Sequence, residues 1–169
     1  NALKAVWSSL DATRQGALEV QCAWVQRRWA LSADEDTRAP LAAELLARLK
    51  SWPASWDELG AQQRRLWVDS TEPLLRYLDQ AGVQWVQALL NEHGSDVWVQ
   101  YLAASAWAQQ GLWGKAQTAT DLVVKQRQLP PALVPRVWRL QAMLADERGD
   151  QAAAQAAWRK AAEAACTGL

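Results

Sequence analysis

Residues 111–116 read G-L-W-G-K-A, and residues 149–154 read G-D-Q-A-A-A. Each stretch follows an alanine-rich segment of helical period and opens another. In each, a glycine stands where a helix would end, and an alanine follows five positions later. A glycine just past a helix end supplies the left-handed residue that most side chains resist. An alanine one turn into the next helix lets the two helices cross closely. The reading is therefore helix, glycine joint, helix, written twice with an offset of 38 residues.

Outward from these joints the period of 3.6 recurs. Leu18, Cys22, Val25 and Trp29 fall at i, i+4, i+7 and i+11, as do Leu112, Ala116, Ala119 and Val123, and again Ala154, Trp158, Ala161 and Ala165. Helices are expected over 2–11, 17–31, 36–50, 56–67, 72–92 with a break near Gly82, 96–110, 113–128, 132–148 and 150–165. Gly16 and Gly94 are expected to end helices as Gly111 and Gly149 do, and Ser95 or Asp96 to cap the helix after Gly94. Pro130, Pro131 and Pro135 must lie at or before the start of the next helix. A helix pair repeating about every 34 residues is the tetratricopeptide pattern, and the LPPALVP connection at 129–135 accounts for an excess of four. The fold class expected is all-α: tetratricopeptide-like pairs stacked in a right-handed superhelix or solenoid. It forms one helical-repeat domain over 1–169, with 96–165 holding the best-defined pair of repeats. Trp138, Ala154, Trp158 and Ala161 are read as the large and small side chains that interdigitate in the second copy.

Composition narrows function. The 169 residues carry 18 Lys plus Arg and 18 Asp plus Glu, so no net field recruits nucleic acid or an anionic bilayer. No apolar run is long enough to span a membrane. Twelve tryptophans and no phenylalanine suit thin helical layers in which few side chains are hidden entirely. The opening at Asn1, without a leader, suggests a fragment of a larger parent. Cys22 and Cys166 match neither a disulfide framework nor a zinc site.

Against an enzyme, the single histidine, His93, stands in a last helical turn before Gly94, where it meets the helix dipole. Cys22 lies on an apolar stripe, where a thiol behaves as a small hydrophobe. Asp34, Glu35 and Asp36 precede a helix whose N-terminus favours negative charge. No catalytic constellation and no metal site are read. A binding role is read on the first helices of the last two pairs, which line the concave face of such stacks. Trp98, Tyr101, Ser105 and Gln109 on one, with Arg136, Arg139 and Met143 on the next, suit a peptide or partner helix bearing an acidic group. The alternative for Trp98 and Tyr101 is plain core.

The stretch 84–117, QWVQALLNEHGSDVWVQYLAASAWAQQGLWGKAQ, resembles the C-terminal half of the proteobacterial HemY family. L-W-G-K-A at 112–116 is its specific part. Trp7 in an A-x-W-x-x-L context, Trp56-Asp57 and Arg65-Leu66-Trp67 follow the family order. The resemblance implies a non-catalytic protein–protein interaction scaffold associated with haem or porphyrin biosynthesis at the bacterial inner membrane. Its partners would be proteins, haem-biosynthesis enzymes among them. The membrane spans of a Gram-negative parent would lie outside this fragment, leaving a soluble domain on the cytoplasmic side. A second expectation is direct carriage of haem or a porphyrin, with His93, Cys22 or Met143 as iron ligands.

Overall fold

A computed structural model describes residues 2–10, 13 and 16–167. Its described residues are helical or irregular, with no strand among them, so the protein is all-α. None of their helices is long and apolar enough to cross a membrane. Packing divides the chain into two compact units, Asn1–Tyr77 and Leu78–Leu169, where the sequence is read as a single domain.

The first unit holds α1 (Ala2–Ser9), α2 (Leu18–Ala30), α3 (Glu35–Leu49), a 3-10 segment (Trp52–Glu58), α4 (Ala61–Thr71) and a second 3-10 segment (Glu72–Tyr77). Position 11, the expected end of the first helix, lies outside the described residues. Asp34 caps α3, its carboxylate accepting from the N–H of Asp36. The helix expected over 56–67 is divided, because Leu59 and Gly60 are extended and α4 starts only at Ala61. There Gln63 reaches back to accept from the N–H of Gly60. The core gathers where α2 packs on α3 and α4. Leu18, Cys22 and Val25 meet it with Leu45 and Leu49, and Trp56 and Trp67 stack edge to face at 5.2 Å. Burying the Trp67 ring strands its N–H unless a partner is supplied, and the carbonyl of Leu49 accepts it at 2.9 Å.

The second unit is α5 (Gln80–Glu92), α6 (Val97–Gln109), α7 (Trp113–Val124), α8 (Val134–Glu147) and α9 (Gln151–Thr167). The break expected near Gly82 falls instead at Leu78 and Asp79. Asp79 is extended and caps α5, accepting from the N–H of Gly82. Asp96 caps α6 as expected, accepting from Trp98 and Val99. Pro135 is the second residue of α8, where its missing N–H costs nothing.

Two pairs dominate the packing, α6 on α7 and α8 on α9, and their joints are copies. After α6, Gly111 takes φ +71°; its N–H donates to Ala108 O, and that of Leu112 to Trp107 O at 2.8 Å. After α8, Gly149 takes φ +73°; its N–H donates to Asp146 O, and that of Asp150 to Ala145 O at 2.9 Å. Both are the doubly bonded left-handed cap that satisfies the last carbonyls of a helix. The alanines five residues on, Ala116 and Ala154, are both buried.

Gly94 follows the end of α5, whose cap is His93, as expected, but two glycines lack the left-handed conformation expected of them. Neither Gly16 nor Gly94 has a positive φ. Gly94 is required by space: a Cβ there would stand 2.6 Å from the carbonyl oxygen of Leu90. The inner stripe of α9 also differs, holding Ala154 and Ala157, while Trp158 is 41% exposed and donates to Asp146 across the pair. A helix packed on one side only has a narrow inner face, and Trp158 is displaced to its edge.

Candidate functional site

Of the residues expected to line a concave groove, Trp98, Tyr101 and Ser105 are buried. Gln109, Arg136 and Met143 are half-buried, and Arg139 is exposed. The single exposed surface expected to join Tyr101 to Arg136 and Arg139 is therefore corrected at Tyr101, which is 0% exposed. The reason lies in the composition of α6. V-W-V-Q-Y-L-A-A-S-A-W-A-Q carries apolar residues around its whole circumference, and such a helix is enclosed rather than half-solvated. Its polar side chains bond inward or along the helix. Gln100 donates to Gly94 O at 2.6 Å and accepts from Gln126, which pins the chain leaving α7. Gln109 donates to the Ser105 hydroxyl.

The suggested iron ligands fall in different settings. Cys22 lies in the first unit at 0% exposure, and burial pushes its thiol up to about 11, with Ser70 pulling modestly the other way. A protonated, enclosed thiol is a poor nucleophile and a poor ligand. His93 and Met143 lie in the second unit, His93 as the C-cap of α5 and Met143 half-buried on α8. No group of three or more His, Cys, Asp or Glu side chains could hold a metal among the described residues.

What the second unit does present is a furrow across α7. A hollow of about 280 Å³ lies between α5 and α7, with Leu90, Trp107, Lys115 and Leu122 in its walls. A second, of about 380 Å³, lies between the start of α7 and the end of α8, against Trp113 and Leu144. A third, of about 290 Å³, continues between α8 and α9 over Trp138 and Lys160. Gly114 belongs to the first two, and Gln117 with Arg148 to the last two. A Cβ on Gly114 would meet nothing within 4 Å, and its φ is not positive. The missing side chain leaves the ridge of α7 low between the first two hollows, and the Gln117–Arg148 pair stands between the last two.

The furrow is aromatic and mostly cationic. Lys115 lies over the Trp107 ring at 5.1 Å and Lys160 over Trp138 at 4.3 Å. Arg148 donates to the side-chain oxygen of Gln117, and Glu147 is the one acid in its lining. None of the residues expected on the concave face lines these three hollows. The available signal was Gly114 itself, a glycine inside a helix where neither turn nor crossing asks for one.

No protein-family model, curated protein or solved structure matches this chain.

Proposed function

We propose that the protein is a non-catalytic interaction scaffold, in which tetratricopeptide-like helix pairs stack as a right-handed superhelix and hold a protein partner in the furrow across α7. The observation that carries this reading is the adjacency of three hollows, the first two sharing Gly114 and the last two sharing Gln117 and Arg148 as walls. Tryptophan faces and long cationic side chains are the residue types that anchor protein interfaces. Lys115, Arg148 and Lys160 against Glu147 alone favour an acidic segment. The recurrence of one glycine joint after α6 and α8 supports the repeat architecture.

The setting we propose is the inner membrane of a Gram-negative bacterium, beside haem-biosynthesis enzymes, through a parent carrying the membrane spans. It rests on the likeness of L-W-G-K-A at 112–116 to HemY proteins.

Filling the notch tests the furrow. Gly114→Leu strains no backbone and improves helix propensity, so the variant should melt no lower than the parent protein. A photo-crosslinker at exposed Thr118 in the full-length parent should join a membrane-associated protein in the native sequence and lose it in Gly114→Leu. Equal capture by both would move recognition away from α7, and no crosslink in either would end the scaffold reading.

A further inference from the structure

The first unit contains a feature that the furrow does not explain. Trp24, Arg28 and Ser32 follow one another at i, i+4 and i+8, along one face of α2 and just past its end. Each has a buried polar atom without a hydrogen-bond partner: Nε1 of Trp24, Nε of Arg28 and Oγ of Ser32. All three can donate. Buried donors are nearly always satisfied, and three in a row on one stripe point to an acceptor.

Space for that acceptor adjoins two of them. Arg28 and Ser32 line an open cavity of about 440 Å³ between α2 and α3, with Leu3, Leu31, Pro40 and Leu41 along its other sides. This is the size of a small-molecule site, with those four apolar walls and polar ones from Arg28, Ser32, Thr37 and Glu44. The Ser32 carbonyl already accepts from Arg38, at 3.1 Å from Nη2, so the loop is tethered while its hydroxyl is left over. The other arm of Arg28 meets Glu44 only at 3.7 Å, and the Glu44 side chain is 52% exposed. That is a loose pair.

We propose that this cavity binds a small monocarboxylate with a branched apolar body. A carboxylate accepts through two oxygens, and so can take the Arg28 Nε–H and the Ser32 O–H together, where a neutral carbonyl offers one. Charge-assisted bonds of this kind are the stronger sort. Glu44 also lines the cavity, so a dianion such as a phosphate monoester is opposed. The leucine and proline walls take the apolar body. The site is built within the first unit and the furrow within the second, and each can fail without the other.

The test uses the whole chain, with 4-methylpentanoate and its amide as probes, followed by calorimetry and by backbone amide shifts. The carboxylate should bind and move amides between Arg28 and Glu44, and the amide should bind at least tenfold more weakly. Arg28→Lys should weaken the carboxylate about tenfold and Ser32→Ala severalfold. Glu44→Gln should tighten it severalfold, because it removes the competitor for Arg28. Should Arg28→Lys misfold, Ser32→Ala and Glu44→Gln, both mild and of opposite expected sign, decide alone. The proposal falls if the carboxylate moves no amides and gives no heat, which would make the cavity a hydrated one. It falls equally if the amide binds as well, or if Ser32→Ala and Glu44→Gln leave the affinity unchanged.

Discussion

The two units divide the same residue types between different duties. In Asn1–Tyr77, tryptophan is a structural centre: Trp56 and Trp67 are enclosed, and arginines lie over the rings, Arg64 on Trp56 and Arg48 on both Trp7 and Trp24. In Leu78–Leu169, alanine makes the close crossings and glycine makes the joints. There Trp98 and Trp107 are enclosed on α6, while Trp113, Trp138 and Trp158 reach the surface, and two rings of the unit are overlain by lysine rather than arginine. The difference teaches which kind of packing repeats. A joint that demands φ > 0 and a crossing that demands a small residue can be copied along a chain. A nest of large rings fits one place only.

The comparison is broken most directly at Trp67. Trp67→Ala removes an enclosed ring, its edge-to-face partner and a hydrogen bond to Leu49, and large-to-small changes of this kind cost about 3–5 kcal/mol. Urea unfolding of the variant should show that loss. A cost below about 1 kcal/mol would mean that the first unit is not centred on its tryptophans.

The next effect sharpens the comparison from the other side. Ala116→Leu and Ala154→Leu should each overpack a crossing and cost about 1–3 kcal/mol. Because the two joints share their hydrogen bonds and their glycine conformation, the two costs should be alike. Unequal costs would show that the joints are alike in backbone but not in packing.

How much of this was written in the sequence follows from the same contrast. Gly111, Gly149, Ala116 and Ala154 could be read because backbone conformation and helix approach each admit few residue types. The break at Leu59 and Gly60 was not readable, since its extended residues follow a 3-10 segment whose apolar spacing imitates a helix. Gly94 was rightly read as following a helix end, but its left-handed conformation was not there to read, because a steric demand from Leu90 and a conformational demand produce the same letter. Tyr101 was misplaced because the enclosure of α6 is a property of its neighbours, of which only the all-round apolar pattern hinted. The row of Trp24, Arg28 and Ser32 has an ordinary helical spacing, and only burial reveals that its donors lack acceptors.

Three glycines extend the test to smaller effects of opposite sign. Gly94→Ala pushes a methyl against the Leu90 carbonyl, and Gly111→Ala forces a side chain into the left-handed region, which costs about 1–2 kcal/mol. Gly114→Ala meets nothing and has an ordinary φ, so it should stabilise by about 0.5–1 kcal/mol. Thermal melts of the three variants would rank them. A destabilised Gly114→Ala would mean that the notch in α7 is a structural requirement rather than an opening.

The smallest effect belongs to the first unit and is electrostatic. Glu35, at the start of α3, accepts a hydrogen bond from the Tyr77 hydroxyl at 2.7 Å and faces Arg76 and Arg38. The Tyr77 bond first, and then the two arginines, hold its carboxyl below the usual carboxylate range. A carboxyl lowered in the folded state favours folding at pH values above its unfolded pKa, and that contribution is lost as the pH falls through the folded value. Tyr77→Phe removes the first cause and leaves the arginines in place. The Glu35 titration, followed by carboxyl-carbon NMR, should therefore move upward toward the ordinary value without reaching it. The stability difference between the parent protein and the variant should narrow as the solution is acidified below about pH 4, near the ordinary glutamate pKa. Because the pair is exposed, added salt should weaken the arginine contribution more than the hydrogen bond. If Tyr77→Phe leaves the titration where it was while salt alone shifts it, the arginines rather than the tyrosine tie the Glu72–Tyr77 segment to α3.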